Sequence, residues 1–160
     1  MIRHCTSADV ATIERIVNDA AVAYRGAIPA DRWHEPYMPR RELEEEIRAG
    51  VDFWAYEDGG EVLGVMGIQD VRDATLIRHA YVLTRTQRRG IGGELIESLI
   101  PRAKGKLLVG TWAAAEWAIR FYQRHGFRLV TQPEKDRLLD TYWTIPPRQR
   151  DVSVVLAYER

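Results

Sequence analysis

Ten residues between a strand and a helix, Thr84-Arg85-Thr86-Gln87-Arg88-Arg89-Gly90-Ile91-Gly92-Gly93, carry the clearest chemistry in the chain. A helix start leaves amide N–H groups unpaired and bears a partial positive charge, so an anion with several oxygens can sit there. Gly90, Gly92 and Gly93 remove side chains that would block its approach, and Arg85, Arg88 and Arg89 add charge. The composition alone therefore describes a phosphate cradle. A dinucleotide fingerprint requires a glycine where Leu95 stands, and a nucleoside-triphosphate loop requires Lys followed by Ser or Thr after the last glycine; neither pattern is met. A glycine-rich helix entry without a ligand is the competing reading.

A second group lies downstream, in Phe121-Tyr122-Gln123-Arg124-His125-Gly126-Phe127. In a helix over Ala113–His125, Ala114, Ala118 and Tyr122 fall at i, i+4 and i+8 and share one face. Small residues ending in a phenol make a groove with a proton donor at its end; a tyrosine packed in the core is the alternative.

The run Gln87-Arg88-Arg89-Gly90-Ile91-Gly92 resembles the Q/R-x-x-G-x-G/A signature of the GNAT superfamily, the Gcn5-related N-acetyltransferases, and Phe121–Phe127 is similar to that family's Phe-Tyr-x-x-x-Gly-Phe ending. The resemblance implies an α/β fold with a mixed, mostly antiparallel central sheet flanked by helices. It implies acetyl-coenzyme A as co-substrate, held by Val82, Leu83, Gln87, Arg88, Arg89, Gly90, Ile91, Gly92, Gly93, Ala118 and Tyr122. The amide of Val82 would bind the thioester carbonyl, and Tyr122 would protonate the leaving sulfur, since a phenol of pKa about 10 is protonated at neutral pH. Acetyl would pass directly to a primary amine in a ternary complex. A non-catalytic acetyl-coenzyme A-binding or regulatory module on the same fold is the second reading.

Two departures bear on that choice. Many relatives carry an asparagine near the start of the second helix, where this chain reads Trp112-Ala113-Ala114-Ala115. Some place a glutamate base before the phosphate loop, where this chain reads Leu76-Ile77-Arg78-His79. His79 is the base candidate on that strand, because imidazole near pKa 6.5 accepts a proton at neutral pH; a histidine that merely packs in the sheet is the alternative. Glu35 and His34, in a loop that borders the acceptor pocket in the family, are further candidates. Trp33, Glu35, Tyr142 and Trp143 are expected on the acceptor side with Tyr37, where aromatic rings suit an apolar or cationic amine. Antibiotics, polyamines, amino acids and peptide amino termini all stay open as acceptors.

Positioning these groups requires the order β-α-α-β-β-β-α-β-α-β-β. Thr6 and Asp9 form a capping box before a helix to about Tyr24, and a second helix has Pro39 in its first turn and Gly50 just beyond its end, its Glu42, Glu44, Glu45 and Glu46 read as a solvated face. Strands follow at 51–56, 62–69 and 74–83, with Gly64 and Gly67 marking a bulge or close approach. Pro101 should shorten the helix after the cradle. A strand is expected at 106–112 and another at 127–131. Residues 133–150 read as mostly loop with a short helix, and 152–158 as a last strand whose exposed edge suits pairing in a homodimer.

The 160 residues suit a single domain, 1–160. With 23 basic and 23 acidic side chains, bulk charge gives no hold on nucleic acid or an anionic membrane. No apolar run is long enough for a bilayer, no signal core follows Met1, and Cys5 is alone, so a cytoplasmic protein without a metal is expected.

Overall fold

The computed structural model describes residues 1–87 and 89–159. Its elements are β1 (Ile2–His4), α1 (Val10–Ala21), α2 (Arg40–Arg48), β2 (Asp52–Asp58), β3 (Glu61–Val71), β4 (Ala74–Val82), α3 (Ile91–Leu99), β5 (Lys106–Trp112), α4 (Glu116–Arg124), β6 (Phe127–Leu129), α5 (Gln132–Tyr142), α6 (Pro147–Asp151) and β7 (Ser153–Tyr158). The strands form one sheet in the order β1-β2-β3-β4-β5-β7-β6. Every pairing is antiparallel except β4 with β5.

Local sequence explains most boundaries. Thr6 Oγ1 accepts from the Ala8 amide, and Asp9 Oδ2 accepts from the Thr6 amide at 2.8 Å, the reciprocal capping box. Behind it Ile13, Ile16, Val17, Ala20 and Ala21 place one buried stripe of α1 against β3, β4 and α2. Ile91, Leu95, Ile96 and Leu99 do the same for α3 against β2, β3 and β4, and Pro101 follows in a 3-10 turn, Ile100–Arg102. Residues 62–67 of β3 are all buried, so this central strand is covered on both faces.

Two irregularities shape the middle of the sheet. In the β3–β4 pairing Val65 opposes Tyr81 and Gly67 opposes Arg78, so β4 spends one extra residue there, and His79 takes a left-handed φ of 56°. Gly67 lets the strands meet at that point: a Cβ on it would lie 2.9 Å from the Arg78 carbonyl oxygen and 2.8 Å from Val51. On the other side, β5 pairs with β4 only from Ala74 to Ile77. Beyond Ile77 the two parallel strands part.

Four expectations are corrected. The segment 133–150 is largely helical, as α5 and α6; Thr131 caps α5 by accepting from the Glu134 amide, and prolines open both helices. The chain turns through Ala113–Ala115 before α4 begins at Glu116, so Ala114 is not on the helical face of Ala118 and Tyr122. β7 lies between β5 and β6, and the sheet edge is the three-residue β6. Glu46 leaves the solvated glutamate face of α2 and turns toward the sheet.

Candidate active site

The opening between β4 and β5 is the centre of the site. Leu83 N–H donates to the Leu63 carbonyl at 2.9 Å, on the β3 side. Successive strand amides point to opposite sides, so Val82 N–H faces the gap left by β5. The Val82 carbonyl, on the same side, accepts from Gln87 Nε2 at 3.3 Å.

One cavity, about 840 Å³, runs from this opening to the start of α3. Gly90 begins the helix with φ 78°, and Glu94 N–H donates to its carbonyl, leaving the amides of the first turn without helical partners. Val82, Gln87, Gly90, Ile91, Gly92 and Gly93 line the cavity at that end. A Cβ on Gly92 would lie 3.4 Å from the Phe121 ring, and one on Gly93 3.2 Å from the His125 imidazole. The two glycines thus keep open a narrow passage between α3 and α4. Ala118, Trp117 and Phe121 form its α4 wall. Leu83 is buried beneath the loop rather than lining the cavity. Arg89 lies 3.8 Å from Asp58, and Arg85 pairs with Glu61, so both are drawn toward the β2–β3 hairpin. Arg88 lies outside the described residues.

A second cavity, about 190 Å³, lies on the other side of the opening. It is lined by Tyr37, His79, Trp112 and Trp143 among others, with Ile145 and Gln149 closing it from the β6–β7 segment. Trp143 lies over Gly110 of β5, where a Cβ would meet its indole at 3.4 Å. Arg148 of α6 pairs with Asp31 of the α1–α2 loop, joining the two segments that flank this cavity. Tyr24, Ala80, Tyr81 and Tyr122 line both cavities, so the two spaces meet at these residues.

Tyr122 is buried, with its ring edge-on to Phe121 and Phe127 at 5.2 and 5.6 Å. Burial pushes its phenol well above the ordinary value, and the neighbouring Tyr24 adds to the shift. Burial likewise raises Tyr24 to about 12 and raises Tyr37 and Tyr81. All four hydroxyls therefore keep their protons at neutral pH.

His79 sits at the bulge, stacked near Phe53 and Tyr81 at 6.2 and 6.4 Å. Its Nε2 lies 2.9 Å from Oε1 and 2.8 Å from Oε2 of Glu46, and Arg78 Nη2 donates to the same Oε1 at 2.7 Å. Burial alone would raise the Glu46 carboxyl, but the bond and attraction of the His79 imidazole, with the charge of Arg78, outweigh it and hold it below the usual range. The strand lacks a carboxylate of its own, yet α2 brings one to it.

The other residues expected on the acceptor side divide. Trp143 and Tyr37 line the smaller cavity. Trp33 stacks on Tyr37 at 5.7 Å and donates to Glu35 at 3.3 Å, while exposed Glu35 pairs with Arg25 at 3.4 Å; neither lines a cavity described above. His34 Nδ1 bonds the Pro36 carbonyl at 2.8 Å. Tyr142, the last residue of α5, is buried with its hydroxyl donating to Asp73, and it too is outside the lining. Sequence reasoning does not single out Glu46, Tyr24, Trp112 or Trp117 for the site, and no local pattern marks the last three. Only Glu46 had a signal, its place one turn after Glu42 beside Ile47, which faces the core.

Parallel strands thus part beside a glycine-lined helix start, and a buried phenol lies where two cavities meet in an α/β fold. A family model described as an acetyltransferase (GNAT) domain matches residues 12–140, and the chain belongs to that family. The fold is shared with the crystal structure of a ribosomal-protein-alanine N-acetyltransferase from Brucella melitensis, at 24% identity and TM-score 0.67, covering 100% of this chain and 99% of that one. It is also shared with the PaiA N-acetyltransferase from Thermoplasma acidophilum in complex with coenzyme A, at 14% identity and TM-score 0.72, covering 100% and 98%. A GNAT family acetyltransferase from Elizabethkingia anophelis with acetyl-CoA bound matches at 20% identity and TM-score 0.63, covering 100% and 97%. No curated protein sequence matches the chain significantly. Among the described residues no group of three or more His, Cys, Asp or Glu could hold a metal ion, and no helix is long and apolar enough to cross a membrane.

Proposed function

We propose that this acetyltransferase moves an acetyl group from acetyl-coenzyme A to a primary amine by direct attack in a ternary complex. The observation that carries the proposal is the meeting of two cavities at Tyr24, Ala80, Tyr81 and Tyr122, beside the unpaired edge of β4. A donor entering from one side and an acceptor from the other would come together at a buried phenol. Binding of coenzyme A by similar folds supports the choice of donor.

The larger cavity suits the donor. Its glycine-lined end offers amides to a pyrophosphate, and its α4 wall is apolar enough for a pantetheine arm. The smaller, aromatic cavity suits the amine.

Each step has a residue. His79 takes one proton from the alkylammonium, leaving a neutral amine whose nitrogen bonds to the thioester carbon. Val82 N–H stabilises the negative charge that grows on the carbonyl oxygen. When the carbon–sulfur bond breaks, Tyr122 gives its proton to the thiolate, and the surplus proton on the new amide nitrogen restores the phenol. His79 returns its proton to solvent, so one proton is released for each acetyl transferred. In this reading residues 1–160 act as one domain, and a cytoplasmic location accords with the lone Cys5. A homodimer is part of the proposal; a monomer by light scattering at micromolar concentration would remove it.

The test is thiol release from acetyl-coenzyme A across a panel of amines, with coenzyme A affinity measured by calorimetry. Binding with amine-dependent thiol release supports the enzyme. Binding without release for every amine would favour a non-catalytic coenzyme A-binding module.

A further inference from the structure

We propose that Glu46 of α2 is a positioning residue for His79, fixing the tautomer and orientation of the imidazole that accepts the amine's proton. The inference deepens the acetyltransferase reading and rests on it.

The geometry is specific. Thirty-three positions separate the two residues, yet Nε2 faces both carboxylate oxygens at 2.8–2.9 Å. An ionised carboxylate only accepts hydrogen bonds, so Nε2 must carry the hydrogen and Nδ1 is left to accept a proton. His79 is 13% exposed and Glu46 19%, so water competes weakly for either. The bulge places the imidazole at a left-handed backbone position, and Phe53 and Tyr81 flank it. A ring so placed needs an outside partner to choose its tautomer. Glu46 also accepts from Arg78, which anchors the carboxylate.

The charged and titratable groups around the ring are few. Glu42 and Glu46 face it from α2, Arg78 and Tyr81 from β4, and Tyr37 lies near the two glutamates. The carboxylate nearest the ring favours the imidazolium formed during proton abstraction, the same logic by which a third group supports a nucleophile–base pair.

The experiment compares wild type, Glu46→Gln, Glu46→Asp, His79→Gln and the double variant Glu46→Gln/His79→Gln. Two readouts are used: the imidazole tautomer by nitrogen-15 NMR, assigned through His79→Gln, and pH profiles of single-turnover transfer. Glu46→Gln keeps the shape and removes the charge. It should weaken the Nε2–H preference read from the nitrogen-15 shifts, move the acidic limb of the rate profile to lower pH, and reduce the plateau about tenfold. Glu46→Asp, which keeps the charge, should show a smaller change in the same direction. Acetyl-coenzyme A affinity should hold, and Glu46→Gln should add no loss to His79→Gln. An unmoved tautomer signature and acidic limb, or a further full loss in the double variant, would overturn the role. A wild-type protein that transfers acetyl to no amine would remove the acetyltransferase reading and the role with it, whereas the NMR shift would still report the pairing.

Discussion

Gly92 of α3 lies against the ring of Phe121 of α4, so close that a single added carbon would touch it at 3.4 Å. This contact sets the width of the passage proposed for the pyrophosphate. Gly92→Glu fills it and puts a negative charge where an anion is to sit. Coenzyme A affinity should fall by at least about 100-fold, measured by calorimetry, because backbone amides and helix end would face a carboxylate already in place. Gly92→Ala should bind more weakly than wild type but measurably. Unchanged affinity in a folded Gly92→Glu protein would contradict the cradle.

The ion pair between Arg148 and Asp31 spans the two segments that flank the smaller cavity. Both side chains are largely exposed, so the pair is weak and open to screening. Arg148→Ala should raise KM for the acceptor amine by about threefold to fivefold, the worth of a surface pair near 1 kcal/mol. Affinity for acetyl-coenzyme A should not change. High salt should give the wild type the same defect; an equal effect on both substrates would argue against a local role.

Arg3 makes two 2.9 Å bonds to Asp9, which also accepts from the Thr6 amide at the head of α1. The bonds from Arg3 hold the Asp9 carboxyl at about 2, against the upward pull of burial. The folded value is below the unfolded value of about 3.9. This contribution is therefore complete above pH ~4 and is lost as pH falls through about 2. Arg3→Ala should cost about 1 kcal/mol at neutral pH, discounted for the partial exposure of Arg3, and its denaturation midpoint should depend less on pH between 4 and 2. A wild-type acid dependence in the variant would remove Asp9 from the account.

The parts legible in the sequence were those written in local pattern. The capping box of Thr6 and Asp9, the buried stripe of α1, the glycines of the cradle and strand β5 all depend on residues a few positions apart. Gly67 was readable as a close approach because a strand glycine has few other uses. What escaped was set by long-range contact. The charge of Glu46 resembles that of Glu42, Glu44 and Glu45, and only packing of α2 on the sheet turns it toward His79. The polar stretch 133–150 hid α5 because just Lys135, Leu139 and Tyr142 of that helix are buried. The interior place of β7 follows from topology, which no feature of its six residues encodes.

The central claim is that the buried phenol where the two cavities meet gives a proton to the departing thiolate. Tyr122→Phe keeps the ring between Phe121 and Phe127 and deletes only the hydroxyl. The deciding measurement is the single-turnover rate of acetyl transfer to an accepted amine, taken for wild type and Tyr122→Phe at saturating acetyl-coenzyme A. The rate should fall by about 10²–10⁴-fold, the usual worth of a general acid, while acetyl-coenzyme A affinity stays within about twofold because the hydroxyl acts mainly as charge develops on sulfur. A Tyr122→Phe protein that transfers acetyl at the wild-type rate would contradict the account.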